Sequence, residues 1–112
     1  MQRRIVLVIE PAAQKAIDAI ELAAAKDRSS AILLRSIHGK LALLKQNPLA
    51  GTKIPRQQIP KTMRCDNLWK MDLAGYWRML YTLSTQEIEI VSIVLEISDH
   101  QSYDKRFGYR RR

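Results

Sequence analysis

Arg78 lies in one of the most apolar stretches of the chain, Tyr76-Trp-Arg-Met-Leu-Tyr81. Side chains alternate across a strand, which puts Trp77, Met79, Tyr81 and Leu83 on one face and Tyr76, Arg78, Leu80 and Thr82 on the other. A guanidinium keeps its charge at any physiological pH and is costly to leave unpaired among apolar side chains. Arg78 must therefore meet an anion, either Asp72, Glu89 or Glu96 of this chain or a bound ligand. Three other groups nearby in sequence carry useful chemistry. Lys70 can hold an anion, His100 can give or take a proton near neutral pH, and Tyr103 offers a ring and a hydroxyl. Read alone, Lys70 is a solvated strand residue, His100 a helix cap and Tyr103 an aromatic at the core's edge. Metal chemistry finds little support, because His38, His100 and the single Cys65 make a poor ligand set. No Gly-rich phosphate loop is present, and no metal or other cofactor is expected.

The elements that must position these residues follow from periodicity. Leu68–Leu73 and Tyr76–Ser84 are apolar-aromatic runs flanking Gly75, the pattern of a β-hairpin. Glu87–Ile97 places Val91, Ile93, Leu95 and Ile97 on one face and Ile88, Ile90 and Val94 on the other. With both faces apolar it should be an interior strand. Ser98-Asp-His-Gln-Ser-Tyr-Asp-Lys-Arg-Phe-Gly-Tyr109 then reads as a short helix or turn. Upstream, Ile5–Ile9 is a short strand at or beside the sheet's edge. Pro11 opens a helix with Ala13, Ile17, Ile20 and Ala24 on one stripe. Asp27-Arg-Ser-Ser30 caps a second helix, striped by Leu34, Ile37, Leu41 and Leu44 and ended by Asn47-Pro48. His38, inside that helix, is a surface or boundary residue with no assigned role. Leu49 to Asp66 is a long connection carrying Pro55 and Pro60, and Arg110-Arg-Arg112 is a tail too short to fold.

The expected fold is α+β, in the order β-α-α-β-β-β-α. A small antiparallel sheet, made of an N-terminal strand and a three-stranded meander, carries a helical hairpin on one face and a short C-terminal helix. The 112 residues are expected to form one domain, 1–112, with a core needing no disulfide or metal. A lone cysteine makes no internal disulfide, and a reducing, cytoplasmic setting is expected. Met1-Gln-Arg-Arg before Ile5–Ile9 imitates a signal peptide, but five apolar residues closed by Glu10-Pro11 are too few.

Charge is unevenly placed. The net +8 comes wholly from residues 28–65, where Arg28, Arg35, Lys40, Lys45, Lys53, Arg56, Lys61 and Arg64 meet no acid, the flanking segments each being neutral. A one-signed segment attracts polyanions, although a merely solvated face has the same composition.

The order of elements, the Asn-Pro after the second helix, the basic loop and Leu68-Trp-Lys-Met-Asp-Leu-Ala-Gly-Tyr-Trp-Arg-Met-Leu-Tyr81 resemble the RelE/ParE superfamily of toxins from type II toxin–antitoxin systems. The ending Asp99-His-x-x-Tyr103 resembles the RelE-like branch, and the likeness spans nearly the whole chain. It implies a ribosome-dependent mRNA interferase, an endoribonuclease that inhibits translation. One face of the sheet would be covered by helices and the other, concave and basic, would receive RNA. It implies an acidic antitoxin as partner, within a possible heterotetramer, and no membrane association. Lys70, Arg78 and Tyr103 match basic, arginine and tyrosine positions of the family's motif. A second lysine of the motif is Asp72 here, and Asp99-His100 stands near the place of an arginine.

Metal-free RNA cleavage needs the 2′-hydroxyl deprotonated, the phosphorane stabilised and the leaving 5′-oxygen protonated. The resemblance gives Arg78 the second task, with Lys70 helping it. His100 serves as base or acid, and Tyr103 stacks on a base or donates a proton. Lys53, Arg56, Lys61, Arg64, Arg106 and Arg110 form the expected RNA-binding set. Two alternatives stay open: a ParE-like inhibitor of DNA gyrase without catalysis, and a degenerate member kept to bind its antitoxin.

Overall fold

A computed structural model describes residues 3–108, the side chains of Ser102 and Arg106 excepted. Strand β1 (Arg4–Ile9) leads into helices α1 (Pro11–Ala24) and α2 (Arg28–Gln46). A two-residue strand β2 (Thr52–Lys53) and a 3-10 turn at Arg56–Gln58 follow. Strands β3 (Trp69–Asp72), β4 (Trp77–Thr85) and β5 (Glu89–Asp99) lead to helix α3 (His100–Phe107). The strand order is β1-β5-β4-β3-β2. This is the expected α+β architecture, with β5 interior and β1 at the edge.

Two features of the sheet differ from expectation. β1 runs parallel to β5, so the sheet is mixed rather than wholly antiparallel; the chain between the two, with both long helices and three strands, gives the long crossover that parallel pairing requires. And β2 adds a fifth strand where the sequence shows only a polar Thr-Lys pair.

Local signals explain the helices. Pro11 occupies the start of α1, where its missing N–H costs nothing. Asp27 caps α2 by accepting from the Ser29 N–H at 3.0 Å and from the hydroxyls of Ser29 and Ser30. These three donors hold its carboxyl below the usual aspartate range, the Ser29 hydroxyl foremost. α2 stops at Asn47, whose extended backbone suits a residue before proline and whose Oδ1 accepts from the Leu49 N–H. The buried stripe of α2 is Leu33, Ile37 and Leu44, with Leu34 and Leu41 only partly covered. Ile37 and Leu44 of the expected stripe are buried as read, and the contact line is widened on the Leu33 side, because α2 packs on α1 as well as on the sheet.

The alternation read in β4 holds. Met79 and Tyr81, with Trp77 and Leu83 partly buried, join Met71, Leu73, Val94 and Ile97 and the helices in the main core. In β5 the alternation fails. Tyr81 pairs with Val94 but Leu80 pairs with Glu96, leaving Leu95 as a bulge. Two residues against one turn Leu95 and Glu96 to the same side, so Val94 and Ile97, three apart, both reach the helix face.

The opposite face is not bare. Leu80 and Leu95 lie there, and Leu68, Ile54, Ile59, Met63, Cys65, Tyr103 and Phe107 gather over them as a second core. The long connection and α3 thereby become a second layer. Among the described residues, Val6, Val8, Val91 and Ile93 on the β1 side of this face lie outside that second core. Burial pushes the Cys65 thiol up, and Asp66 adds to the effect.

Candidate active site

The β3–β4 hairpin sets the positions that matter. Its registers, Lys70 opposite Leu80 and Asp72 opposite Arg78, place all four on the second-core face. The Asn67 side chain extends the ladder beyond Trp69: it donates to the Leu83 carbonyl at 3.0 Å and accepts from the Leu83 N–H at 2.9 Å. At the other end the Leu73 N–H donates to the Trp77 carbonyl, and the Ala74 N–H donates to Ser36 Oγ of α2. The turn between is fixed by Gly75 at φ 67° and, next to it, Tyr76 at φ 62°. Tyr76 therefore belongs to the turn and not to Arg78's strand face. Its ring is 82% exposed.

Tyr81 ties the connection to the sheet. Its buried hydroxyl donates to the Pro48 carbonyl at 2.9 Å and accepts from the Gly51 N–H at 3.0 Å. Burial pushes its phenol up, with the Gly51 N–H opposing. Gly51 is required here, because a Cβ would come within 2.7 Å of both the Lys70 carbonyl and the Tyr81 hydroxyl.

Arg78 finds an anion within the chain. Its Nε lies 3.2 Å from Asp72 Oδ1, the arginine side chain being 22% exposed and the aspartate 79%. Its guanidinium carbon lies 4.5 Å from the centre of the Tyr103 ring, and Lys70 Nζ lies 5.8 Å from the same centre. Phe107 stacks on that ring at 4.4 Å. Two groups that close cannot share a face, so Tyr103 is sandwiched between Phe107 and Arg78. At 1% exposure its face is closed to a nucleobase, which corrects the stacking role expected for it. Its observed part is to seat two cations, each cation–π contact being worth about 0.5–2 kcal/mol.

His100 opens α3. Its Nε2 lies 3.0 Å from Asp104 Oδ2, one helical turn on. In neutral imidazole that N–H points to the carboxylate and leaves Nδ1 as the acceptor. A cleft of about 560 Å³ is lined by Asp72, Leu73, Gly75, Tyr76, Trp77, Arg78 and His100. It falls within the size range of small-ligand sites.

The other expected residues divide. Arg56, Lys61 and Arg64 are exposed on the connection whose apolar residues cover the second-core face. Lys53 instead lies over the Trp69 ring at 6.0 Å. That ring stacks on Tyr81 at the helix-side core, so Lys53 is turned away from Arg78. Arg106 lies in α3, its side chain among those not described, and Arg110 lies outside the described residues. Sequence reasoning missed Asp104, although its i, i+4 spacing from His100 was a usable signal. It also missed Tyr76, an aromatic directly after a turn glycine. Among the described residues no cluster suited to a metal ion occurs and no helix is long and apolar enough to cross a membrane.

No family model and no curated protein matches the chain. Among solved structures it is similar to a YoeB/ParE toxin from Agrobacterium tumefaciens, at 18% identity over 85% of this chain and 98% of that one, with a TM-score of 0.58. The chain thus has the fold of a YoeB/ParE toxin, reached with few residues in common.

Proposed function

We propose that this protein is the toxin of a toxin–antitoxin pair and acts as a metal-independent endoribonuclease on ribosome-bound mRNA. The observation that carries the reading is the Arg78 guanidinium, seated on Tyr103 and bordering the same cleft as His100. The fold shared with a YoeB/ParE toxin supports the toxin part. In the reaction, His100 Nδ1 takes the proton of the 2′-hydroxyl while Asp104 holds the other ring nitrogen. The freed oxygen attacks the adjacent phosphorus, and the bond to the 5′-oxygen breaks. Arg78 meets the charge that builds on the phosphorane, Lys70 beside it gives a proton to the leaving 5′-oxygen, and a 2′,3′-cyclic phosphate remains on the other fragment. Tyr103 acts through these cations by fixing where they stand. An acidic antitoxin would silence the protein by covering the basic connection.

One observation favours the gyrase-inhibitor alternative: Asp72 already partners Arg78. An exposed ion pair is worth only about 0.2–1 kcal/mol, so an RNA phosphate can displace that carboxylate. The test is to map mRNA ends on translating ribosomes with the wild type and Arg78→Ala, beside a gyrase supercoiling assay. Loss of one charge-stabilising contact lowers cleavage by roughly two to three orders of magnitude. Uncut mRNA with wild-type protein, together with inhibited gyrase, would transfer the assignment to the ParE-like reading.

A further inference from the structure

We propose that Tyr76 is a stacking platform for one unpaired nucleobase of the RNA, placed so that His100 stays at the adjoining ribose and Arg78 at a neighbouring phosphate. The proposal rests on the endoribonuclease reading and names a subsite of it. Exposure alone decides nothing, since single exposed aromatics are common on protein surfaces. Three observations together do.

First, Tyr76 occupies a backbone position, φ 62°, that disfavours any side chain with a Cβ. Glycine would close the turn without strain, and a 82% exposed ring contributes little to the core in return. Second, the ring is held rather than loose. The turn is fixed by the Leu73–Trp77 and Ala74–Ser36 hydrogen bonds, and the ring lies 6.3 Å from the His100 imidazole at 55°, within the range of tilted aromatic pairs. Third, Tyr76, His100 and Arg78 line one cleft, so a ring face and a phosphate-binding cation are offered to the same ligand. A 55° tilt leaves no parallel walls to sandwich a base. Tyr76 therefore supplies the face alone, and His100 Nδ1 is left for the 2′-hydroxyl.

The chemistry selects its ligand. A stacking face is useful only to a base that has left its own stack, so the site takes single-stranded RNA and not a duplex. Stacking engages any base, so the subsite adds affinity with little sequence preference.

The test uses the full chain and a short single-stranded RNA carrying a 2′-O-methyl group at every position, which binds but cannot be cut. A second oligonucleotide of equal length and charge is abasic throughout. Tyr76→Gly removes the ring while suiting the left-handed backbone, so it folds at least as well as the wild type. Tyr76→Phe keeps the stacking face. Tyr76→Gly should weaken binding of the base-containing RNA about tenfold and leave the abasic strand unchanged, and Tyr76→Phe should bind as the wild type does. If Tyr76→Gly binds the base-containing RNA as tightly as the wild type, while Arg78→Ala binds it more weakly, the platform is wrong and the nuclease reading stands. If the wild type does not bind the RNA in a salt-dependent way but still cuts mRNA on translating ribosomes, the platform is wrong and the nuclease reading stands; if it also leaves that mRNA uncut, both fall.

Discussion

Replacing Asp72 with asparagine is the sharpest probe of how Arg78 is used. The Arg78–Asp72 pair spans 3.2 Å, but the aspartate side chain is 79% exposed, so water screens it heavily. Pairs of this kind contribute about 0.2–1 kcal/mol. Asp72→Asn should therefore lower the melting temperature by no more than about 4–8 °C, the shift for 1 kcal/mol in a chain of this size. Its effect on ligand is of opposite sign. A carboxylate beside the arginine repels an incoming phosphate, and two unit charges about 4 Å apart interact by roughly 1 kcal/mol in water and 4 kcal/mol near a protein surface. With Asp72 this exposed the lower figure governs, which is about a fivefold gain in RNA affinity. The gain should be clear at about 50 mM salt and fade above about 300 mM, where screening is strong. Fluorescence anisotropy with a labelled single-stranded RNA, read beside thermal melts, measures both. Weaker RNA binding by Asp72→Asn, at any salt and with the fold intact, would refute the reasoning. It would mean that the carboxylate orients Arg78 for its ligand instead of competing with it.

Three further outcomes follow from the geometry. Gly51→Ala drives a methyl into the Lys70 carbonyl and the Tyr81 hydroxyl; overpacking of this kind costs about 1–3 kcal/mol, visible in chemical denaturation. Reversing Arg56, Lys61 and Arg64 to glutamate should weaken RNA binding and flatten its salt dependence, whereas Lys53→Glu, on the side of Trp69, should change both far less. Asp27→Ala removes the cap of α2 and should melt below the wild type at neutral pH. The Asp27 carboxyl is held below its ordinary range, so its contribution is present above that range and is lost as pH falls through the folded value. The gap between the two melting curves should close in acid, and a gap that persists there would remove ionised Asp27 as its source.

What the sequence revealed, and what it hid, divides along the range of the interactions. α1, the Asp27 cap, the Gly75 turn and the alternation of β4 are written in neighbouring residues, and each is where those residues put it. The bulge at Leu95 is not, because Glu87–Ile97 carries apolar residues on both faces and only pairing with β4 shows which residue is extra. The parallel pairing of β1 and the two-residue β2 depend on partners more than fifteen residues away. At the site, the sequence identified Arg78 as a cation needing an anion and offered Asp72 among the candidates, which is the observed pair. It placed Tyr103, read alone, as an aromatic at the core's edge, but could not tell that its burial would be complete, since the apolar cover of α3 comes from the distant residues Ile54, Ile59 and Met63.

That burial changes what the tyrosine is for. A guanidinium on a half-covered strand face loses hydration, and the cost must be offset near it. Asp72 offsets part, but an exposed carboxylate is weakly held and is the partner an RNA phosphate would replace. The Tyr103 ring offsets the rest without occupying any of the five N–H donors. A second carboxylate in its place would compete with phosphate, and an aliphatic side chain would leave the charge unsupported. Phe107 stacks behind the ring and helps fix its position. The aromatic pair thus gives the arginine a seat in the free protein that leaves its donors open to the anion the proposed reading assigns it.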